Sequence, residues 1–360
     1  MGVEEEFLLI DLVSRLPEPA ADRVIERAAG VLGDQVSGEF ARQQIEVKTQ
    51  PCTDAASLRS ELLRLRAGVA RAAADEQVGV CTSGTPILAE GKRVAIGDHP
   101  RYRAGTEQYR AMLEDFSVCA VHIHIGVADR ELAVLAGNHL RPWLPLLVAL
   151  SANSPFHDGR DTGYADWRAV IRGRFPCLGP PPYAESLRHH EELAAAVAAT
   201  EAMLDAHTPF WDVRPNPRLP TLEIRAMDVM ADVDDTVALA VLIRALVATA
   251  TARARSGDGG PQPSPEVLRA AYWRAARDGW SGGGLDALTG QILPTPAQAW
   301  RLVEHVRPAL QDHGDYAMVT AFIERLAVRG GGAECQRACF ARHGTLVGVV
   351  DELSLTAPQA

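Results

Sequence analysis

The chain has 360 residues, and its 36 Lys and Arg against 46 Asp and Glu give a net charge of −10 with neutral histidines. This length suffices for one large domain or two ordinary ones, and a composition of 47% hydrophobic and 23% charged residues is typical of a folded protein and excludes a disordered one. The acidic balance argues against nucleic acid or an anionic membrane surface as the main partner, although a small anionic ligand needs only a few local cations or metal ions.

The first half of the chain alternates strand-like and helix-like segments. The hydrophobic pattern predicts, in chain order, a strand at 3–11, a helix at 20–32, a strand at 39–49, a helix at 54–77, a strand at 78–82, a helix at 105–116 and a strand at 118–127. Residues 131–153 then read as one or two helices, with a break near Pro142 and Pro145 because proline cannot continue a helical ladder.

The second half becomes helical after one more strand. A Pro/Gly-rich surface loop at 174–182 precedes a helix at 184–205 and a strand at 221–227. The remaining predicted helices are 234–255, 265–277, 296–311, 316–328 and 333–343, with a flexible connection at 256–264. From about residue 234 onward the chain is therefore expected to be mainly helical.

The N-terminus, MGVEEEFLLIDL, carries three acids where a secretion signal needs basic residues before a long apolar run. The longest apolar stretch, 236–252, contains Arg244 and predicts a buried helix and not a membrane span. Six scattered cysteines do not form a disulfide framework. These features predict a cytoplasmic, soluble protein with no membrane partner.

Polar residues recur on one face of four predicted strands, because side chains two apart in a strand point the same way. These shared faces carry Glu4 and Glu6; Gln44, Glu46 and Lys48; His122 and His124; and Glu223 and Arg225. In the last three of these strands the opposite face is apolar. The pattern predicts one antiparallel sheet with a core face and a functional polar face. The alternative is that each polar face simply meets solvent.

The residue types on this face favour a metal site. If the sheet gathers Glu4, Glu6, Glu46, His122 and Glu223, their repulsion requires compensating cations. Mg²⁺ prefers carboxylates, waters and phosphates, and Mg²⁺ or Mn²⁺ tolerates a lone histidine, whereas zinc more typically takes two or three His or Cys.

Other motifs carry less information. The sequence has no phosphate-binding P-loop, no dinucleotide fingerprint and no nucleophile elbow. Cys335, Cys339 and His343 recur at helical spacing and could face a metal, but a boundary stripe is the commoner meaning of that spacing.

The ordered set of motifs resembles the type-2 glutamate–cysteine ligase family, also called carboxylate–amine ligases. The matching pieces, which span essentially the whole chain, are GVEEEF at 2–7, Glu39 with QIEVKT at 44–49, VHIHIG at 121–126, SANSPF at 151–156, DTGYADWR at 161–168, WDVRP at 211–215, and TLEIR at 221–225 with Asp228. The sequence departs from the family pattern at Cys119-Ala120 and at Asp166-Trp167.

The resemblance implies an α+β fold like that of glutamine synthetase, in one catalytic domain over residues 1–360. In that fold an antiparallel sheet curls into a funnel with helices outside, and two or three Mg²⁺ ions lie inside. By motif match, the metal ligands are Glu4, Glu6, Glu39, Glu46, His122 and Glu223. By the same match, the nucleotide-binding residues are His122, Arg214 and Arg225. The catalytic residues are Glu223 and Arg225, and the substrate-binding residues are Tyr164, Arg168 and Arg172.

The resemblance further implies an ATP-dependent ligase that joins a small-molecule carboxylate to an amine through an acyl phosphate and releases ADP and phosphate. Glutamate plus cysteine is the name-giving reaction of the family, and a homodimer is plausible for this architecture. Two alternatives stay open: a metal-dependent hydrolase that uses the same Glu/His face to activate water, and a non-catalytic homologue that binds nucleotide or metal.

Overall fold

The computed structural model describes residues 1–91, 93–207 and 209–356. The strands are β1 (Gly2–Asp11), β2 (Val36–Gly38), β3 (Gln44–Lys48), β4 (Val78–Cys81), β5 (Ala120–Gly126), β6 (Phe156–His157), β7 (Arg160–Asp161), β8 (Val213–Pro215), β9 (Thr221–Asp228), β10 (Gly283–Leu285) and β11 (Ile292–Pro294). The helices are α1 (Ala21–Leu32), α2 (Ala55–Asp75), α3 (Pro100–Tyr109), α4 (Arg130–Leu140), α5 (Leu144–Ser151), α6 (Trp167–Arg172), α7 (Leu187–Ala199), α8 (Val233–Arg255), α9 (Pro265–Asp278), α10 (Thr295–His305), α11 (Arg307–Asp312), α12 (Tyr316–Arg329), α13 (Gly332–His343) and α14 (Leu346–Glu352).

The main sheet joins the four strands whose polar faces the sequence singled out. Its order is β2-β3-β1-β5-β9-β8, with β4 paired to the distal half of β1, and these pairs are antiparallel. In this register Glu4 lies opposite His122, and His124 lies opposite Glu223. The predicted α+β architecture, with one antiparallel sheet and a helical C-terminal part, is confirmed.

The apolar face of the sheet packs on a layer of helices. Val3, Val121, Ile123 and Ile224 are buried there in one cluster with residues of α4, α5 and α8. By length and composition alone α8 could cross a membrane, but 72% of its most apolar window is buried inside the protein. It is a core helix, as the sequence predicted.

Glu5 lies between Glu4 and Glu6 on β1, but its side chain points the other way, into this layer of helices. Its carboxylate is fully buried and accepts hydrogen bonds from Arg66 Nε at 2.8 Å and Arg66 Nη2 at 2.5 Å, and from Thr236 Oγ1 at 3.2 Å. The bidentate pair, with two further bonds from Arg66 to the backbone of Met230 and Ala231, ties β1 to α2 and to the start of α8.

Several predicted boundaries are wrong, for local reasons. The predicted helix at 105–116 begins earlier, at Pro100, whose fixed φ suits the first turn, and it stops at Arg110 with φ of +52°. The predicted helix at 184–205 is shorter, because Ser186 caps its start and Glu201 adopts φ of +60° just beyond its end. The strand predicted at 39–49 begins later, as β3 at Gln44, and Glu39 lies in the turn that joins β2 to β3.

Other differences lie in the number of elements. The helix predicted at 296–311 is broken into α10 and α11. The short strands β6, β7, β8, β10 and β11 and the helix α14 were not predicted. The predicted break between α4 and α5 is confirmed: Arg141–Trp143, which includes Pro142, forms a 3₁₀ turn there.

Candidate active site

Strands β1, β3, β5 and β9 bring the predicted acidic residues together around one histidine. His122 Nδ1 lies 3.3 Å from Glu4 Oε2, and His122 Nε2 lies 3.7 Å from Glu6 Oε1. Two triplets place one ligand atom each within 4.8 Å of one another: Glu4, His122 and Glu223, and Glu6, Glu46 and His122. His122 belongs to both triplets, so it marks the centre of the candidate metal centre.

The second triplet holds more negative charge than its surroundings offset. Burial and the nearby Glu39 raise the pKa of Glu6 to about 8. Burial, together with Glu4 and Glu39, raises the pKa of Glu46 well above its usual range. Lys48 Nζ, 2.6 Å from Glu46 Oε2, supplies only part of the balance. A bound divalent cation would favour the ionised form of these buried carboxyl groups. Carboxylate oxygens are also the ligands that a hard divalent ion prefers.

Glu39 joins this group from the turn before β3. Its Oε2 accepts a hydrogen bond from Phe40 N at 3.0 Å, and burial raises the pKa of its carboxyl group. Its charge also raises the pKa of Glu6 and of Glu46, so the three carboxyl groups share one neighbourhood. Glu39 therefore reaches the candidate metal centre from a turn, and not from the strand predicted at 39–49.

Glu223 differs because cations surround it. Its carboxylate accepts hydrogen bonds from Arg214 Nε at 3.0 Å, from Arg214 Nη2 at 3.2 Å, from Asn216 Nδ2 at 2.7 Å and from Arg225 Nη1. Burial alone would raise its pKa, but Arg225 and Arg214 outweigh burial and hold the pKa of Glu223 well below its usual range. Glu223 is ionised and oriented by two guanidinium groups.

Both histidines of β5 sit on the polar face. Burial and the charge of Arg225 lower the pKa of His122 to about 3, so its ring is neutral and keeps a lone pair. His124 Nε2 lies 3.5 Å from Glu4 Oε1, and its Nδ1 lies 3.1 Å from Thr221 Oγ1. Hydrogen bonds from His122 and His124 outweigh the effect of burial and lower the pKa of Glu4. The sequence placed His124 on this face but gave it no role; the period-two alternation was the available signal.

These side chains line a cavity of about 420 Å³, called here the polar cavity. Besides Glu4, Glu6, Glu39, His122, Arg214, Glu223 and Arg225, its lining includes Arg168, Arg172, Arg101, Arg218, Asn216, and the aromatic residues Phe40, Tyr102, Tyr109, Phe116, Phe175 and Phe210. Several of the aromatic rings meet edge to face at centroid distances of 5.2 to 5.7 Å. One wall of the polar cavity therefore carries both acidic and basic side chains, and the other is a rigid apolar wall of packed aromatic rings.

Sequence reasoning missed most of the aromatic wall. Tyr102 and Arg101 belong to α3, and Arg218 to the turn before β9. The sequence of neither segment shows a periodic pattern of polar residues that would indicate a site. The turn is irregular, and α3 carries only one buried residue.

The three predicted substrate residues have different outcomes. Arg168 lines the polar cavity, but its guanidinium donates to the carbonyl oxygens of Arg225 and Ala226 at 3.1 Å each. Arg172 also lines the cavity, with its Nη2 2.7 Å from Asp212 Oδ1. Tyr164 does not line the cavity: its hydroxyl oxygen accepts a hydrogen bond from Trp273 Nε1 at 3.1 Å. Tyr164 therefore lies outside the cavity whose substrate it was predicted to bind.

The cysteine stripe of α13 does not form a shared site. Cys335 Sγ donates to Arg329 O at 3.7 Å, and Cys339 Sγ donates to Gly348 O at 3.6 Å. Cys339 and His343 approach Glu352 instead of Cys335, and both His343 and Glu352 are exposed. None of these residues lines the polar cavity.

Comparison with known proteins gives matches over nearly the whole chain. A family model described as glutamate–cysteine ligase family 2 (GCS2) matches residues 1–353. A protein of Saccharopolyspora erythraea named "Putative glutamate–cysteine ligase 2-1" is 42% identical over 98% of this chain and 93% of its own length. A protein of Salinispora tropica named "Putative glutamate–cysteine ligase 2" is 42% identical over 96% of this chain and 91% of its own.

Solved structures extend the similarity to the fold. A glutamate–cysteine ligase from Francisella tularensis, crystallised in complex with AMP, superposes with a TM-score of 0.70 at 10% identity, covering 98% of this chain and 86% of that one. At this identity the likeness concerns the fold.

Proposed function

The chain belongs to glutamate–cysteine ligase family 2 and is an ATP-dependent ligase that forms C–N bonds, and on this premise we propose that the polar cavity joins a small-molecule carboxylate to an amine through an acyl phosphate. Transfer of the γ-phosphoryl group of ATP makes the acid reactive. Attack of the amine on the carbonyl carbon then expels phosphate and leaves an amide. ADP and phosphate are the expected co-products.

The observation that supports this proposal is the convergence on His122 of two ligand triplets, whose members other than Glu46 line one cavity. We assign one Mg²⁺ site to Glu4, His122 and Glu223 and a second to Glu6, Glu46 and His122, with Glu39 beside the second; Mn²⁺ fits the same donors. When bound, these ions neutralise phosphate charge. The number of ions, two or three, stays a prediction.

Arginines complete the proposed site. Arg225 Nη1 lies 3.5 Å from His122 Nδ1, so its guanidinium reaches from Glu223 to the centre of the metal ligands. It is placed to contact the transferring phosphoryl group, because planar guanidinium groups bind phosphate oxygens in pairs. Arg214 holds Glu223 in place and is assigned to nucleotide binding. Burial and Arg225 lower the pKa of Arg214 to about 10, which leaves it charged at neutral pH.

Arg168 and Arg172 divide the remaining roles. Arg168 is a positioning residue, since both of its terminal nitrogens hold the backbone of β9 at Arg225 and Ala226. Arg172 is the candidate for the carboxylate of the acid substrate, because its guanidinium lines the cavity from α6. The homodimer, the single-domain organisation and the cytoplasmic location stay predictions.

The competing hydrolase hypothesis predicts a different dependence on substrates. The ligase requires an acid, an amine and ATP together, whereas a hydrolase acts without nucleotide. The test is an ADP-release screen over amino acids and amines, with the product mass measured. Release of ADP that needs both substrates supports the proposal. Release of AMP and pyrophosphate, or hydrolysis with no nucleotide, would contradict it.

A further inference from the structure

A second cavity, of about 950 Å³, lies behind the wall of the polar cavity and is called here the rear cavity. Neighbouring residues of the same segments face the two cavities. Ser117 lines the rear cavity and Val118 the polar cavity, while Trp167 lines the rear cavity and Arg168 the polar cavity. The two cavities therefore adjoin at these positions without sharing lining residues.

Three polar side chains of the rear cavity carry buried atoms that find no hydrogen-bond partner among the described residues: Ser117 Oγ, His157 Nδ1 and Trp167 Nε1. Ser117 is 1% exposed and His157 is 8% exposed. A buried polar atom left unpaired costs about 1–3 kcal/mol, so such atoms are normally satisfied. Three of them on one cavity indicate a place where a polar ligand bonds.

The charges at the rear cavity indicate what kind of ligand this is. The lining acids are Asp11, Glu18, Glu90, Glu114, Asp115 and Asp158, and the lining bases in the described part of the chain are Arg93, Arg160 and Arg174. Arg93 lies 2.9 Å from Glu114, and Arg174 lies 2.7 Å from Asp115. The excess of acids disfavours a simple anion such as phosphate.

Asp158 and Arg160 are lining residues of opposite charge that lie two positions apart in the chain. Both are exposed at the hairpin of β6 and β7, on either side of Gly159. Asp158 at φ of +49° and Gly159 at φ of +77° form its tight turn, and their N–H groups donate to Pro86 O and Ile87 O. The chain thus holds one carboxylate and one guanidinium, two residues apart, on an anchored turn beside the unpaired buried atoms.

We propose that the rear cavity binds a free α-amino acid, with Asp158 receiving its ammonium group, Arg160 its carboxylate, and Ser117, His157 and Trp167 its polar side chain. The two charges of a zwitterion are complementary to those of Asp158 and Arg160 on the turn. A polar side chain can form hydrogen bonds with the unpaired buried atoms of Ser117, His157 and Trp167. The inference is independent of the proposed ligase reaction, because no residue of the rear cavity lines the polar cavity.

The test is calorimetric titration of the full chain with each of the standard L-amino acids, without ATP or metal. Three variants probe the site: Arg160→Gln and Asp158→Asn at the exposed turn, and Ser117→Ala at the floor. Asn tolerates the positive φ of Asp158, so that variant keeps the turn. Arg188→Gln, at a side chain that is 82% exposed on α7, is the matched control. Melting temperatures confirm that each variant is folded.

At least one polar amino acid should bind the wild type and the Arg188→Gln control equally. Its dissociation constant should rise tenfold or more in Arg160→Gln and in Asp158→Asn, and measurably in Ser117→Ala. Absence of binding by every amino acid would overturn the proposal. So would equal binding to all variants, which would place the ligand elsewhere, or tight binding of inorganic phosphate in place of amino acids. Because ADP release is measured separately, this result leaves the proposed function untouched.

Discussion

Glu6 on β1 and Glu46 on β3 are direct partners across the antiparallel register, and both carboxyl groups are buried. Directly opposed like charges destabilise a sheet, and burial increases the penalty because the charged form loses its hydration. Two buried acids at one register position are therefore costly to the fold unless a cation binds between them. Four predictions and one direct test of the metal centre follow from the structure.

Removing one of these charges should stabilise the metal-free protein. Glu46→Gln keeps the shape and the acceptor for Ser37 Oγ but removes a buried charge that Glu4 and Glu39 repel. We expect the free energy of unfolding at pH 8, without metal, to rise by about 1 kcal/mol, measured by urea denaturation. The control Glu26→Gln, at an exposed position of α1, should change it little. A clear loss of stability in Glu46→Gln would show that the repulsion is not there.

Glu223→Gln should separate catalysis from folding. Gln keeps the acceptor for Arg214 and Asn216 but removes the charge that Arg225 and Arg214 orient. Turnover in the ADP-release assay should fall by about 10²–10³-fold, because the lost group acts where phosphoryl charge develops. The loss should appear in kcat at saturating substrates, with the circular dichroism spectrum unchanged. Wild-type turnover would remove Glu223 from the reaction.

Arg168→Lys tests a positioning role. A lysine has one ammonium group in place of a planar fork and cannot hold the carbonyl oxygens of both Arg225 and Ala226. The free energy of unfolding should fall by about 3 kcal/mol, as when a buried pair is broken. In the folded variant the KM for ATP should change less than kcat, since the residue acts through Arg225. Arg188→Lys, at an exposed site, is the control; equal stability of the two variants would contradict the role.

The pH dependence of stability should reveal a buried acid pair beneath β9. Burial, with the charge of Asp228, raises the pKa of Asp166 well above its usual range, and burial also raises the pKa of Asp228. The folded state then binds protons that the unfolded state has released. The contribution of this pair to stability is therefore fully present below the unfolded-state pKa, about 4, and is lost as pH rises toward the folded-state pKa values.

Asp166→Asn should flatten this dependence. Asparagine also caps helices well, so the hydrogen bond from Ala169 N at the start of α6 is retained. The difference in unfolding free energy between pH 5 and pH 8 should shrink by about 1 kcal/mol, measured by urea denaturation at each pH. A slope as steep as that of the wild type would show that Asp166 does not titrate in this range.

Much of the site could be predicted because strand alternation is a local property. The spacing of Glu4 and Glu6, and of His122 and His124, fixed which residues share a face, and hydrogen bonding between strands then placed those faces together. Long-range partners were not predictable in the same way. The bidentate ion pair between Arg214 and Glu223 depends on β8. This strand has three residues, and its hydrophobic pattern is too short to recognise in the sequence.

The boundary errors have the same origin. Residues 39–43 form a turn before β3, and the hydrophobic pattern alone extended the predicted strand through them. The hydrogen bonds of Arg168 could not be predicted, because the two carbonyl oxygens that accept them lie more than fifty residues away in the chain. Tertiary contacts of this kind leave no periodic trace in the chain.

The most direct test of the metal centre counts bound ions. Mn²⁺ binding, followed by electron paramagnetic resonance of the free ion, should show two sites in the wild type and in the Glu26→Gln control. Glu46→Gln should lose or greatly weaken one site while the other, built on Glu4 and Glu223, remains. Identical Mn²⁺ binding by wild type and Glu46→Gln would contradict the claim that the converging carboxylates hold the metal.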